Sequence, residues 1–91
     1  MNKKTALIKS LLKGDIINVS NSIKCTGYSN PAREIPRQIE QPFQCVVSRC
    51  KMESKDQWGN YVTWYDYRLN PLIRGNATAI KKMKNYVAEN N

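Results

Sequence analysis

The sequence predicts a small α+β domain: three short helices, a two-stranded β-hairpin, and one further helix at the C-terminal end. Three observations predict it. Apolar residues recur at helical spacing near both ends of the chain. An Asn-Pro helix-start signal, Asn30-Pro31, follows a glycine break at Gly27. Two runs rich in β-branched and aromatic residues flank one polar loop. At 91 residues the chain has room for one domain with a thin core.

Residues 5–13 read as the first helix, because Leu7, Ile8, Leu11 and Leu12 share one face of a 3.6-residue period. Thr5 or Asn2 can cap its start, and Gly14 stands where a left-handed residue closes a helix. Asp15-Ile16-Ile17 is either a very short strand or a linker. Residues 18–40 read as two short helices around a turn. Asn18 or Ser20 caps the first, and Val19 and Ile23 form its inner face. In the second, Asn30 is the N-cap, Pro31 the first helical residue, and Ala32, Ile35 and Ile39 the apolar stripe. Arg33, Glu34, Arg37, Gln38 and Gln41 take the other sides. Pro36 either kinks a helix that began at Pro31 or starts one of its own after a turn at 31–34, and Pro42 ends both versions.

Phe43 to Met52 and Tyr61 to Leu69 are the hairpin strands, joined by the polar stretch from Glu53 to Asn60. Alternation puts Tyr61, Thr63, Tyr65, Tyr67 and Leu69 on one face and Val62, Trp64, Asp66 and Arg68 on the other. Asn70-Pro71 breaks the strand. Asn76 can cap a last helix with Ala77, Ile80, Met83 and Val87 as its stripe, Lys81, Lys82 and Lys84 beside it, and a frayed Glu-Asn-Asn end. The boundaries are therefore a domain over 1–69 and a basic helical extension over 70–91, packed on that domain.

Composition narrows the function. Fifteen Lys and Arg stand against seven Asp and Glu, a net charge of +8, and histidine is absent. Without histidine there is no Ser-His or Cys-His nucleophile pair and no His-containing zinc site. The seven acids are scattered and no glycine-rich phosphate loop occurs. We therefore expect a binding protein, not an enzyme, with no metal and no cofactor. Cys25, Cys45 and Cys50 are an odd number without CxxC spacing, which fits reduced, mostly buried thiols in the cytoplasm. Lys9, Ser10 and Lys13 interrupt the first apolar stretch, so it does not read as a secretory signal, and no run is long enough to span a membrane.

Helix, short strand, helix, turn, helix and hairpin is the element order of a winged helix-turn-helix. With Leu11-Leu12-Lys13-Gly14-Asp15-Ile16, Gly27-Tyr28, Ala32-Arg33-Glu34-Ile35 and Tyr65-Asp66-Tyr67-Arg68-Leu69 in that order, the chain resembles small phage- and prophage-encoded winged-helix DNA-binding proteins over about residues 5–69. It departs from them at Pro36, inside the helix that should read DNA, and in residues 70–91, which have no counterpart. The resemblance implies a regulator or accessory factor of a phage or mobile element in a bacterial host cell. Its partner would be double-stranded DNA, read in the major groove by the helix near residues 30–41.

Under that reading Asn30, Arg33, Arg37 and Gln38 are the candidate base contacts, since Arg fits the guanine edge and Asn or Gln the adenine edge. Ser29 and the helix start can meet a phosphate. The plainer alternative is a solvated face with Arg37 paired to Glu34 or Glu40. Charge is uneven: residues 1–30 carry +4, 31–52 carry +2, 53–69 carry −1 and 70–91 carry +3. Lys81 and Lys82 are thus candidate phosphate contacts, or else the solvated side of a packed helix, and Lys55 is a weaker candidate on a slightly acidic hairpin. Trp58 either anchors a protein partner or folds back onto Tyr61 or Trp64. The second function class is accordingly a module that inhibits or redirects a host protein through the hairpin and C-terminal helix. A homodimer, with the last stripe as its seam, is a further expectation; membrane binding is not, because that stripe lacks bulk.

Overall fold

A computed structural model describes residues 2–90 and has an α+β architecture, with helices, one two-stranded antiparallel hairpin and a C-terminal helix. The order is α1 (Lys3–Leu12), α2 (Ser22–Thr26), α3 (Pro31–Ile35), a π-helical turn (Pro36–Glu40), α4 (Gln41–Phe43), β1 (Ser48–Lys55), β2 (Tyr61–Arg68) and α5 (Asn76–Asn90).

Of the two caps offered by the sequence, Asn2 serves α1: its side chain accepts from the Thr5 N–H at 2.7 Å. The helix closes as a Schellman motif. Gly14, at φ +85, donates to the Leu11 carbonyl, and the Asp15 N–H reaches back to Ser10. Ile17 then exchanges two backbone hydrogen bonds with Tyr67, at 2.9 and 2.7 Å. The segment between strand and linker in the sequence is thus a one-residue bridge beside β2.

Val19 and Ile23 do not form an inner face; both are exposed. Neither Asn18 nor Ser20 caps α2, because the Asn18 side chain instead closes a turn on the Ser20 and Asn21 N–H groups. α2 therefore starts only at Ser22, and its buried residues are Ser22 and Thr26, small enough to pack closely against α1. The Thr26 hydroxyl stays satisfied by donating to the Ser22 carbonyl at 2.7 Å. Gly27 ends the helix at φ +83, where a Cβ would also meet the Lys3 side chain at 3.0 Å.

The two prolines fare differently. The helix begins at Pro31, the first of the two versions, and Pro36 does not start one of its own after a turn. The chain continues from α3 into i→i+5 bonding, with the Gln41 N–H on the Pro36 carbonyl. Pro42 sits within the first residues of α4, where its missing N–H is least costly, and the helix ends later, at Gln44 in the left-handed region. Ile35 and Ile39 are buried as expected, but Ala32 is exposed and Pro31 and Glu34 take its place inside.

β1 and β2 pair from Ser48↔Arg68 to Lys55↔Tyr61. β1 begins after the expected Phe43, which belongs to α4; Cys45 and Val47 are buried in the connection. Only the base of the hairpin is covered, through Tyr67 and Leu69, whereas Tyr61 and Tyr65 of the same face are exposed. The hairpin projects and lengthens the molecule to 47 × 29 × 20 Å. Its tip is tighter than the sequence suggested. The Gly59 N–H bonds the Asp56 carbonyl, Gly59 is left-handed at φ +83, and the Asp56 N–H pairs with the Asn60 carbonyl.

The core joins Leu7, Ile8 and Leu11 of α1 with Ile35, Ile39, Val47, Tyr67 and Leu69, and takes Met83 and Ala79 from α5. The C-terminal helix thus shares this core. Its inward residues are Asn76, Ala79 and Met83, flanked by half-buried Ile80, Tyr86 and Val87; Ala77, expected in the stripe, is exposed. The helix continues to Asn90, so Glu89 and Asn90 are helical, and Asn91 lies outside the described residues.

Candidate nucleic-acid interface

Asn30 opens α3 as expected, its side-chain oxygen accepting from the Arg33 N–H at 3.3 Å. That bond takes one of the two lone pairs of the Asn30 side-chain oxygen. Ser29 precedes it and is exposed. The Arg33 and Glu34 N–H groups both bond the Asn30 carbonyl and Pro31 has none, which leaves the Ala32 N–H as the donor of the first turn without a bond among the described residues.

One turn on, three of the candidate residues converge on a single carboxylate. Glu34, whose side chain is 8 % exposed, accepts from Arg33 Nε at 3.0 Å, lies 3.9 Å from Arg37 Nη1, and accepts from Gln38 Nε2 at 3.2 Å. The Gln38 hydrogen bond and the two guanidinium groups hold its carboxyl below the usual carboxylate value, against the opposing effect of burial. Arg33 and Arg37 remain 62 % and 61 % exposed. The bond from Arg33 to Glu34 uses Nε, not a terminal nitrogen of the guanidinium. Gln38 is half-buried and its Nε2 donates to Glu34. The Arg37–Glu34 pair is the one the sequence offered as its plainer alternative, whereas the burial of Glu34 and its bonds to Arg33 and Gln38 were missed; Gln38 follows Glu34 by four residues.

A groove of about 270 Å³ runs between the start of α3 and the hairpin, lined by Val19, Asn30, Pro31, Thr63, Tyr65 and Tyr67 among others. Trp64, also on its wall, donates from Nε1 to Asp66 at 3.1 Å, and the same Asp66 oxygen accepts from Asn18 Nδ2 at 3.0 Å. The Asn18 bond ties the hairpin to the turn that leads into α2.

The other candidates lie apart. Lys55 forms the last strand pair with Tyr61 and rests 5.1 Å over its ring. Lys81 and Lys82 are exposed on α5, which packs on α1 and α4. Trp58 is 76 % exposed at the hairpin turn, where its N–H bonds the Asp56 carboxylate. All three thiols are free, with Cys45 buried, Cys25 half-buried and Cys50 exposed, so they are less uniformly buried than expected. Among the described residues no three His, Cys, Asp or Glu gather to hold a metal ion, and no helix is long and apolar enough to cross a membrane. Comparison of the chain with protein-family models, with curated proteins and with solved structures finds no match.

Proposed function

We propose that the chain is a winged helix-turn-helix protein that binds double-stranded DNA as a regulator or accessory factor of a phage or mobile element. The observation that carries this reading is the Glu34 cluster: one nearly buried carboxylate hydrogen-bonded to Arg33 Nε on α3 and 3.9 Å from Arg37 Nη1 on the π-helical turn, with both guanidinium groups mostly exposed. A guanidinium held at Nε keeps a planar pair of donors for the O6 and N7 of guanine, and loses less side-chain freedom on binding than an untethered one. The element order supports the same reading. The Ile17–Tyr67 bridge supplies the short strand beside the hairpin, and α2, the Gly27 turn and α3 stand in helix-turn-helix order. Base readout falls to Arg33 and Arg37, with Gln38 and Asn30 in supporting positions; Lys81 and Lys82 would add phosphate contacts, and Lys55 one at the wing.

The test is binding to a random duplex followed by fluorescence anisotropy across salt. The affinity should fall steeply between about 50 and 200 mM salt as counterions are released. Absence of binding at about 50 mM rejects the reading.

A second reading is favoured by one observation, the 76 % exposure of Trp58 on a projecting turn. An indole in that position suits the centre of a protein contact. A host-lysate pull-down whose partner is lost with Trp58→Ala would favour an inhibitor or adaptor of a host protein.

A further inference from the structure

A second concave surface lies between the end of α1, the end of β2 and α5, with a volume of about 340 Å³. It shares no lining residue with the groove beside α3. Its apolar part is built from Leu12, Leu69 and Ile80, and its charged part from Lys13, Arg68 and Lys84; no acid lines it. Leu12 and Ile80 are only half-buried although they pack on the core, so each keeps an apolar side turned to the cleft. Lys13 gives part of its charge to Asp15, 3.7 Å away. Arg68 and Lys84 are exposed and have no ion-pair partner among the described residues.

We infer that this cleft docks a short acidic segment of a partner protein, with one or two bulky apolar side chains seated on Leu12 and Ile80 and carboxylates facing Arg68, Lys84 and Lys13. Charge complementarity selects the occupant. Three cations without a lining acid would repel a basic segment and leave a neutral one without electrostatic gain. A nucleic-acid backbone would use the cations but cover no apolar surface, whereas burial of apolar area is the main favourable term in association. The inference does not rest on the DNA reading, because Arg68 and Lys84 take no part in the Glu34 cluster.

The probe is a short fluorescein-labelled peptide in which Asp and Glu alternate with Leu and Phe, titrated with the full chain and followed by anisotropy. The expected result is saturable binding that weakens as salt rises, a loss of about tenfold or more with Arg68→Glu plus Lys84→Glu, and no change with Arg33→Ala plus Arg37→Ala. Both reversed residues are exposed, so the fold is retained, which far-ultraviolet circular dichroism checks. Several results would overturn the inference: no binding at about 100 µM protein, undiminished binding by the double reversal, or equal binding of polyglutamate or of a Lys/Arg counterpart with the same apolar residues. Displacement of the peptide by duplex DNA through a site lost in the double reversal would assign the cleft to nucleic acid and would also overturn it.

Discussion

Asn76 and Val46 exchange two hydrogen bonds, the Asn76 side-chain oxygen accepting from the Val46 N–H at 3.1 Å and its amide donating to the Val46 carbonyl at 2.9 Å. The second amide proton goes to the Asn70 carbonyl at 2.8 Å. A fully buried side chain thus satisfies three backbone groups and pins the start of α5 to the segment between α4 and β1. In the sequence Asn76 reads as a helix cap; in the structure it joins the C-terminal extension to the rest of the chain.

Asn76→Ala should therefore destabilise the fold by about 2 kcal/mol, since it strands donors and acceptors without replacement. Asn76→Asp should cost more, because it sets a carboxylate against the two carbonyls that the amide now serves. Urea titration of the three proteins checks both the loss and its order; an unchanged midpoint for Asn76→Ala would contradict the role.

Thr5 makes the opposite case. It is fully buried, and its hydroxyl has no hydrogen-bond partner among the described residues. Thr5→Val keeps the shape and removes an unsatisfied polar atom, so stability should rise by about 1 kcal/mol. A lower urea midpoint would show that the hydroxyl has a partner after all.

Acid should unfold the protein through particular carboxylates. Glu34 lies below the usual value of 4.5 for the reasons given above. Glu40 is raised by burial, but the Arg49 hydrogen bonds, the Val47 N–H and the Arg49 charge together outweigh that and leave it lowered. Asp56 is lowered from 3.8, chiefly by the Asn60 N–H, with Trp58 helping. A carboxyl that binds protons more weakly folded than unfolded stabilises the fold fully above its unfolded value. That contribution is lost as pH falls through the folded value. The urea midpoint should hold from neutrality to about pH 5 and then drop, and Glu40→Gln should flatten the drop. A midpoint independent of pH down to about pH 3 would contradict this.

Thiol chemistry should separate the cysteines. Burial, with a smaller contribution from the Glu40 charge, pushes the Cys45 thiol up and keeps it protonated. Cys50 is exposed on β1. A disulfide reagent should label Cys50 at once and Cys45 only on addition of denaturant; fast labelling of Cys45 in the native protein would contradict its burial.

Much of the architecture was legible because it rests on local chemistry. Asn30-Pro31, Gly14, Gly27 and the Tyr61–Leu69 alternation each act within a few residues, and each element they predict is present. Periodicity failed where an element is too short to impose it. Val19 and Ile23 are four apart, yet α2 has five residues and the Asn18 turn excludes Val19 from it, so spacing assigned an apolar face that tertiary packing gave to Ser22 and Thr26. The π-helical turn at Pro36–Glu40 was not legible for another reason: it is a change in backbone bonding register and leaves no side-chain pattern to read. In the candidate site, Arg33, Arg37 and Gln38 were visible as residue types. What joins them is the burial of Glu34, and burial depends on what packs against the helix.

The most direct test of the proposed DNA reading is selection of bound duplexes from a random pool, run in parallel with three proteins. The wild-type chain should enrich a motif containing guanines. Arg33→Ala plus Arg37→Ala should lose that motif, at about 1–3 kcal/mol of discrimination for each bidentate contact removed. Lys81→Ala plus Lys82→Ala should keep the motif and bind more weakly throughout. No enrichment by the wild-type chain, or the same motif from the double arginine variant, would contradict the assignment of Arg33 and Arg37 as the reading residues.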